Sequence, residues 1–230
     1  MKEYIKESSK RYKIQNLKFY DKPVYVMKPI TNNVDLVQVL SDIESKIPKN
    51  LTGNFEVVYV GDFDFFHEKG RSYNAAFKDG AIYITNEQED YDDLIDDIVH
   101  EMAHSIERQS KYNDVIYNDG LVEKEFLGKR KYLFHVLDEP IDMMLDYINP
   151  DYDKKFDMYL YKNIGYDKLR SMTHSLFFSP YAITALKEYW ANGFENYIVG
   201  DYNDRQKLKE ISPELFKKIE QILNLHNDEE

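Results

Sequence analysis

The apolar positions of this chain fall into distinct periodic blocks. Leu94, Ile95, Ile98, Met102 and Ile106 recur at intervals of three and four, which is helix spacing. The acidic run Glu89 to Asp93 precedes them, at the end of a helix where negative charge is favoured. Upstream, Val24-Tyr25-Val26-Met27 reads as a short strand between Pro23 and Pro29. Asn33 or Asp35 can cap a helix carrying Leu36, Val39, Leu40, Ile43 and Ile47, which Pro48 stops. Phe55 to Val60 is a β-branched and aromatic strand ending at Gly61. Residues 62–70 read as a loop, and residues 1–22 as a loose polar arm. The clearest hairpin is Tyr73 to Phe77, then Lys78-Asp79-Gly80, then Ala81 to Thr85, because Asp-Gly tolerates the positive φ of a tight turn.

Beyond residue 110 the pattern is mainly helical. Val122, Phe126 and Leu133 mark one helix, with Gly128 as an interruption. Another starts at Glu139-Pro140 and ends at Asn149-Pro150. Residues 152–167 form a tyrosine-rich connection without a clear period, and Leu169 to Phe178 a short helix. Ser179-Pro180 is a cap followed by a first-turn proline, predicting one helix through Glu188 and Phe194 to Val199, stopped by Gly200. Ser212-Pro213 starts a last helix with Leu215, Phe216, Ile219, Ile222 and Leu223 at core spacing, and residues 227–230 are expected to fray.

The central helix contains His100-Glu101-Met102-Ala103-His104. His100 and His104, four apart, stand one above the other on one face. Two imidazoles so placed can grip a zinc ion, and Glu101 beside them can take a proton from water. The same spacing on a loop or strand would not align the rings.

Composition narrows the setting. The 230 residues suit one large domain or two lobes around a cleft, and 43% hydrophobic content suffices for a core. With 30 basic and 42 acidic residues the formal charge is −12, which argues against nucleic acid or an anionic membrane as the main partner. There are no cysteines, so any zinc must be held by His, Asp or Glu. The first residues lack the apolar segment of a secretory signal, and no apolar run reaches about 18 residues, so a cytoplasmic product is expected. Delivery into another cell or a virion is compatible with the same features.

A catalytic zinc has three protein ligands and an open position. Glu188 stands out as the third. Tyr181 lies seven residues before it, so on one continuous helix the two share a face, about 10 Å apart along the axis. A phenol so placed can donate to an oxyanion. Glu139 and Asp142 are rival third ligands. Glu107, three beyond His104, can orient that imidazole or be a solvated acid near Arg108. His174 lies near Tyr181 in sequence, whereas His67, His135 and His226 have no partner pattern. Asp92, Asp93, Asp96 and Asp97 read as a solvated acidic helix start.

His100-Glu101-Met102-Ala103-His104, followed by Tyr181, Glu188-Tyr189-Trp190-Ala191, Gly193-Phe194 and then Ser212-Pro213-Glu214-Leu215-Phe216, resembles the catalytic domain of anthrax lethal factor and its relatives. These include the secreted clostridial Pro-Pro endopeptidases. The likeness covers about residues 70–223 and is weakest between His104 and Tyr181. It implies an α+β, zincin-like (gluzincin-type) fold: a small N-terminal mixed sheet and a helical C-terminal lobe around a cleft. The domain would span residues 23–230, with 23–110 carrying the sheet and motif helix and 111–230 the helical lobe. The resemblance makes His100, His104 and Glu188 the ligands of one zinc ion, Glu101 the general base and Tyr181 the oxyanion donor. It implies a metalloendopeptidase acting on a peptide or protein substrate. Asn192 stands where relatives often carry a second acid, and Ala103 where they commonly carry glycine. Two other readings fit the same residues: a zinc-stabilised structural or binding protein of a phage or mobile element, and a toxin-like peptidase acting in another cell. The strand Asn74 to Phe77 is expected beside the cleft, bonding substrate backbone, or else as an internal hairpin strand.

Overall fold

The computed structural model describes residues 17–52, 54–67, 73–118 and 120–224. Residues 1–16 of the expected arm, residues 68–70 of the expected loop, and the expected frayed tail with His226 lie outside the described residues. The chain is mixed α+β and divides into two compact units, Met1–Gln109 and Ser110–Glu230.

The first unit is a five-stranded open sheet with helices. Its strands are β1 (Leu17–Phe19), β2 (Lys22–Val26), β3 (Val57–Gly61), β4 (Ala75–Lys78) and β5 (Ala81–Thr85), in the spatial order β1-β2-β3-β5-β4. β2, β3 and β5 run parallel, while β1 and β4 close the two edges antiparallel. Period-two alternation separates the faces. Val24, Val58, Val60, Ile82 and Ile84 are buried. On the opposite face Tyr25, Tyr59 and Tyr83, register neighbours on three strands, stack at 5.6 and 5.3 Å. These cross-strand aromatic contacts fix the register of the central strands.

Helix α1 (Leu36–Lys46) is capped by Asp35, whose side chain accepts from Val37 N and Gln38 N. It buries Leu36, Val39, Leu40 and Ile43. The strand β1 corrects the expectation of a loose arm to residue 22. Tyr20 and Asp21 turn at φ 49° and 65° without glycine, which hid the hairpin from turn chemistry. Tertiary bonds hold it: Tyr20 Oη donates to the carbonyls of Ile43 (3.2 Å) and Ile47 (2.7 Å), and Tyr20 N to Glu44. The expected hairpin is present, with Asp79 at φ 52° and Gly80 at φ 77°. The expected loop after β3 contains a 3₁₀ turn, Asp64–His67. Helix α2 (Tyr91–Glu107) follows β5.

The second unit comprises α3 (Ser110–Tyr117), α4 (Leu121–Val136), α5 (Met144–Ile148), α6 (Lys154–Tyr159), α7 (Tyr166–Thr173), α8 (Leu186–Ile198), α9 (Tyr202–Ile211) and α10 (Pro213–Asn224). Gly128 does not interrupt α4, since the helix continues through it. The stretch without a clear period buries Phe156 and Leu160, one turn apart, and carboxylates bind its tyrosines. Asp157 accepts from the hydroxyls of Tyr152 (2.9 Å) and Tyr166 (2.8 Å), and Glu139 from those of Tyr147 (3.3 Å) and Tyr159 (2.6 Å). A π turn, Leu160–Ile164, joins α6 to α7.

Trp190 and Phe194 of α8 are fully buried. Gly193 lets α10 approach, since a Cβ there would lie 2.3 Å from Leu215 Cδ2. Leu215 is itself fully buried and has little room to yield. Gly193→Val should therefore lower stability by about 1–3 kcal/mol through overpacking. Thermal unfolding with and without Leu215→Ala checks this, and the second change should restore part of the loss.

A polar cluster joins α4, α8 and α10. Lys129 Nζ donates to Tyr189 Oη (2.5 Å) and Ser212 Oγ (2.6 Å). Glu125 accepts from Tyr189 Oη (2.8 Å) and from the first free amides of α10, Glu214 N (2.9 Å) and Leu215 N (3.3 Å). Burial pushes the Lys129 ammonium down to about 8. Folding therefore disfavours the bound proton, and stability gained above the ordinary lysine pKa is lost as pH falls from 10.5 through 8. Wild type should gain up to about 3 kcal/mol relative to Lys129→Met between pH 8 and 10.5, read by urea unfolding of both.

Candidate metal centre

The motif residues all lie on α2, which begins with a reciprocal cap. Asp90 accepts from Asp93 N (3.0 Å), and Glu89 N donates to the Asp93 carboxylate (3.2 Å). Leu94, Ile95, Ile98, Val99, Met102 and Ile106 are buried, which fixes the rotation of the helix. Their positions i, i+1 and i+4 on this one helix bring His100, Glu101 and His104 together: one ligand atom from each lies within 4.8 Å of the others. The two rings stand 5.1 Å apart and nearly perpendicular, at 78°. Both histidines are partly exposed, whereas Glu101 is 8% exposed. Two imidazoles and a carboxylate at this separation suit the borderline-soft zinc ion.

Two further contacts shape the cluster. Phe77 N, on β4, donates to Glu101 Oε2 at 2.5 Å. β4 is an edge strand, and Asn74 O already accepts from Thr85 N. Alternation then turns the backbone of Ala75 and Phe77 away from β5, and the Phe77 amide reaches Glu101. Asn74, expected to offer its backbone to a substrate, uses its carbonyl inside the hairpin instead. The carboxylate of Glu107 lies 3.7 Å from His104 Nδ1, beyond hydrogen-bond length but on the side of the ring that leaves Nε2 for a metal.

Asp97 departs from the expected solvated acid. Burial pushes its carboxyl up to about 7, and the neighbouring Asp93 and Glu101 charges add to that, against a hydrogen bond from Gln88. Asp92 is exposed as expected, while Asp93, Asp96 and Asp97 are half-buried. Neither the Phe77 amide nor the desolvation of Asp97 was evident beforehand. Helical spacing does put Asp97 one turn before Glu101, which was the available signal.

The second unit holds Tyr181 and Glu188, and the expected single helix is broken between them. Ser179 Oγ accepts from Ala182 N (3.2 Å), but it starts only the 3₁₀ turn Tyr181–Ile183. Ala185 is extended at φ −158°, ψ 158°, and α8 begins after it. The seven-residue spacing therefore does not place the two on one helical face. Leu186 N donates to Pro150 O instead (2.8 Å), so a tertiary bond restarts the chain. Glu188 sits in the first turn of α8, 3% exposed, with Lys187 Nζ 3.5 Å from Oε1. Tyr181 is half-buried.

Of the rivals, Glu139 is engaged by its two tyrosines, and Asp142 is exposed. His174 is exposed and bonds Ser171 O (3.0 Å). His135 is exposed, and His67 pairs with Asp62. Among the described residues no helix is long and apolar enough to cross a membrane. Compared with known proteins, the chain matches no family model, no curated protein and no solved structure.

Proposed function

We propose that this protein is a zinc-dependent metalloendopeptidase of zincin-like fold, related to the lethal factor and Pro-Pro endopeptidase group. The observation that carries this reading is the His100–Glu101–His104 cluster, with the Glu101 carboxylate buried and held by the Phe77 amide. In this reading His100 and His104 hold one zinc ion, and Glu188, by the resemblance, completes the ligand set. Zinc, when bound, supplies Lewis acidity toward water and the scissile carbonyl.

The remaining chemistry belongs to the chain. Glu101 takes the proton of the attacking water and delivers it to the leaving amine. The Phe77 amide holds one Glu101 oxygen, so the carboxylate is oriented before substrate arrives. Tyr181 donates a hydrogen bond to the oxyanion of the tetrahedral intermediate. The outward backbone of Ala75 and the Phe77 carbonyl can pair with an extended substrate by strand addition. A purely structural zinc site would require neither a buried proton acceptor nor a phenol.

The test is cleavage of a degenerate peptide library with and without a chelator. Cleavage should require zinc and return on its addition. Tyr181→Phe should keep the metal and lose about 10²–10³ in turnover. A zinc-replete protein that cuts no peptide would overturn the reading.

A further inference from the structure

Arg108 lies immediately past the end of α2 and is exposed. It continues the line of His100 and His104, four residues further on, about 6 Å along the axis. Its guanidinium carbon sits 5.5 Å from the centre of the Phe77 ring. Phe77 is the edge-strand residue whose amide holds Glu101. One side chain thus has its backbone on the candidate base and its ring under a cation.

No carboxylate among the described residues pairs with Arg108, although the chain carries 42 acids against 30 bases. The adjacent Glu107 turns toward His104. The negative end of the α2 dipole favours a basic residue here, but any lysine or arginine would satisfy that. The ring adds something more specific. At 5.5 Å the ring lies within cation–π reach of the guanidinium, whose planar fork of N–H donors suits bidentate contact with a carboxylate.

We propose that Arg108 is a specificity residue that selects peptides with an Asp or Glu side chain close to the cut. This rests on the peptidase reading and names its substrate class. Two residues of extended chain span about 7 Å, so the acidic side chain falls within about two residues of the scissile bond. Net charge alone would disfavour such a substrate. Selection is therefore local, by hydrogen bonding, and not a consequence of the overall field.

The experiment has two arms on the full chain. The first is cleavage profiling of wild type, Arg108→Gln and Arg108→Lys against a degenerate peptide library. The second is binding of zinc-loaded Glu101→Gln, with and without Arg108→Gln, to peptides that differ only in Glu, Gln or Lys at each position. At one position Glu should be favoured over Gln by about tenfold in both arms, the worth of one charge-assisted contact. Arg108→Gln should bring that ratio to about one, and Arg108→Lys should keep part of it because the charge remains. Cleavage with no acidic preference, or with a preference that survives in Arg108→Gln, would overturn the inference and leave the peptidase reading standing. Neither cleavage nor peptide binding by zinc-replete protein would overturn both.

Discussion

Glu101→Gln is expected to lose turnover by about 10²–10⁴ while folding and binding zinc as wild type does, the range general acid–base groups contribute. Glutamine keeps the shape and can still accept the Phe77 amide, so the edge strand stays in register with α2. What it removes is the capacity to take a proton from water. The measurement is steady-state cleavage of the best library peptide, with metal content determined on the same sample. Retained activity in zinc-replete Glu101→Gln would exclude Glu101 as the base. Loss of zinc together with activity would instead assign it a ligand's role, which the 4.8 Å separation also permits chemically.

Glu188→Gln is expected to weaken zinc binding by more than the roughly 10–100-fold that loss of an outer-shell partner costs. The amide preserves volume at a 3% exposed position, so folding should survive and the metal readout remains interpretable. Competition with a chromophoric chelator measures the affinity. The comparison variants are Glu139→Gln and His104→Ala. Glu139 is engaged by Tyr147 and Tyr159, so its change should lower stability and leave zinc in place. His104→Ala should lose zinc outright. A Glu188→Gln protein with wild-type affinity would remove Glu188 from the ligand set and require another third ligand.

The legible parts of this chain were those governed by neighbours in sequence. The apolar spacing of Leu94 to Ile106 and the acidic run Glu89 to Asp93 before it mark α2, and four-residue spacing alone aligns His100 with His104. Asp79-Gly80 identifies its hairpin because the φ preference resides in those two residues. Pro213 marks the start of α10 because its ring fixes φ near the helical value. Where a conformation was chosen by a distant partner, the same rules failed. Tyr20-Asp21 turns because the Tyr20 hydroxyl reaches the end of α1. The helix expected from Pro180 onward breaks at Ala185, where Leu186 N bonds Pro150 O. Helix α9, whose Asp201 and Asp204 form a capping box, carries only Leu208 as a buried residue, so it had no apolar period to reveal it.

The sequence by itself determined the motif helix, the Asp79-Gly80 hairpin and the identity of the groups that could bind a metal. These follow from periodicity and side-chain chemistry, which act over a turn or two of chain. Only the tertiary structure decided that the Phe77 amide meets Glu101, that Asp97 is half-buried and that Arg108 lies within cation–π reach of an edge-strand ring. Each of those depends on how β4 lies against α2 or how deeply a carboxyl is buried. Such distances are set by the packing of segments far apart in the chain, and no local pattern encodes them.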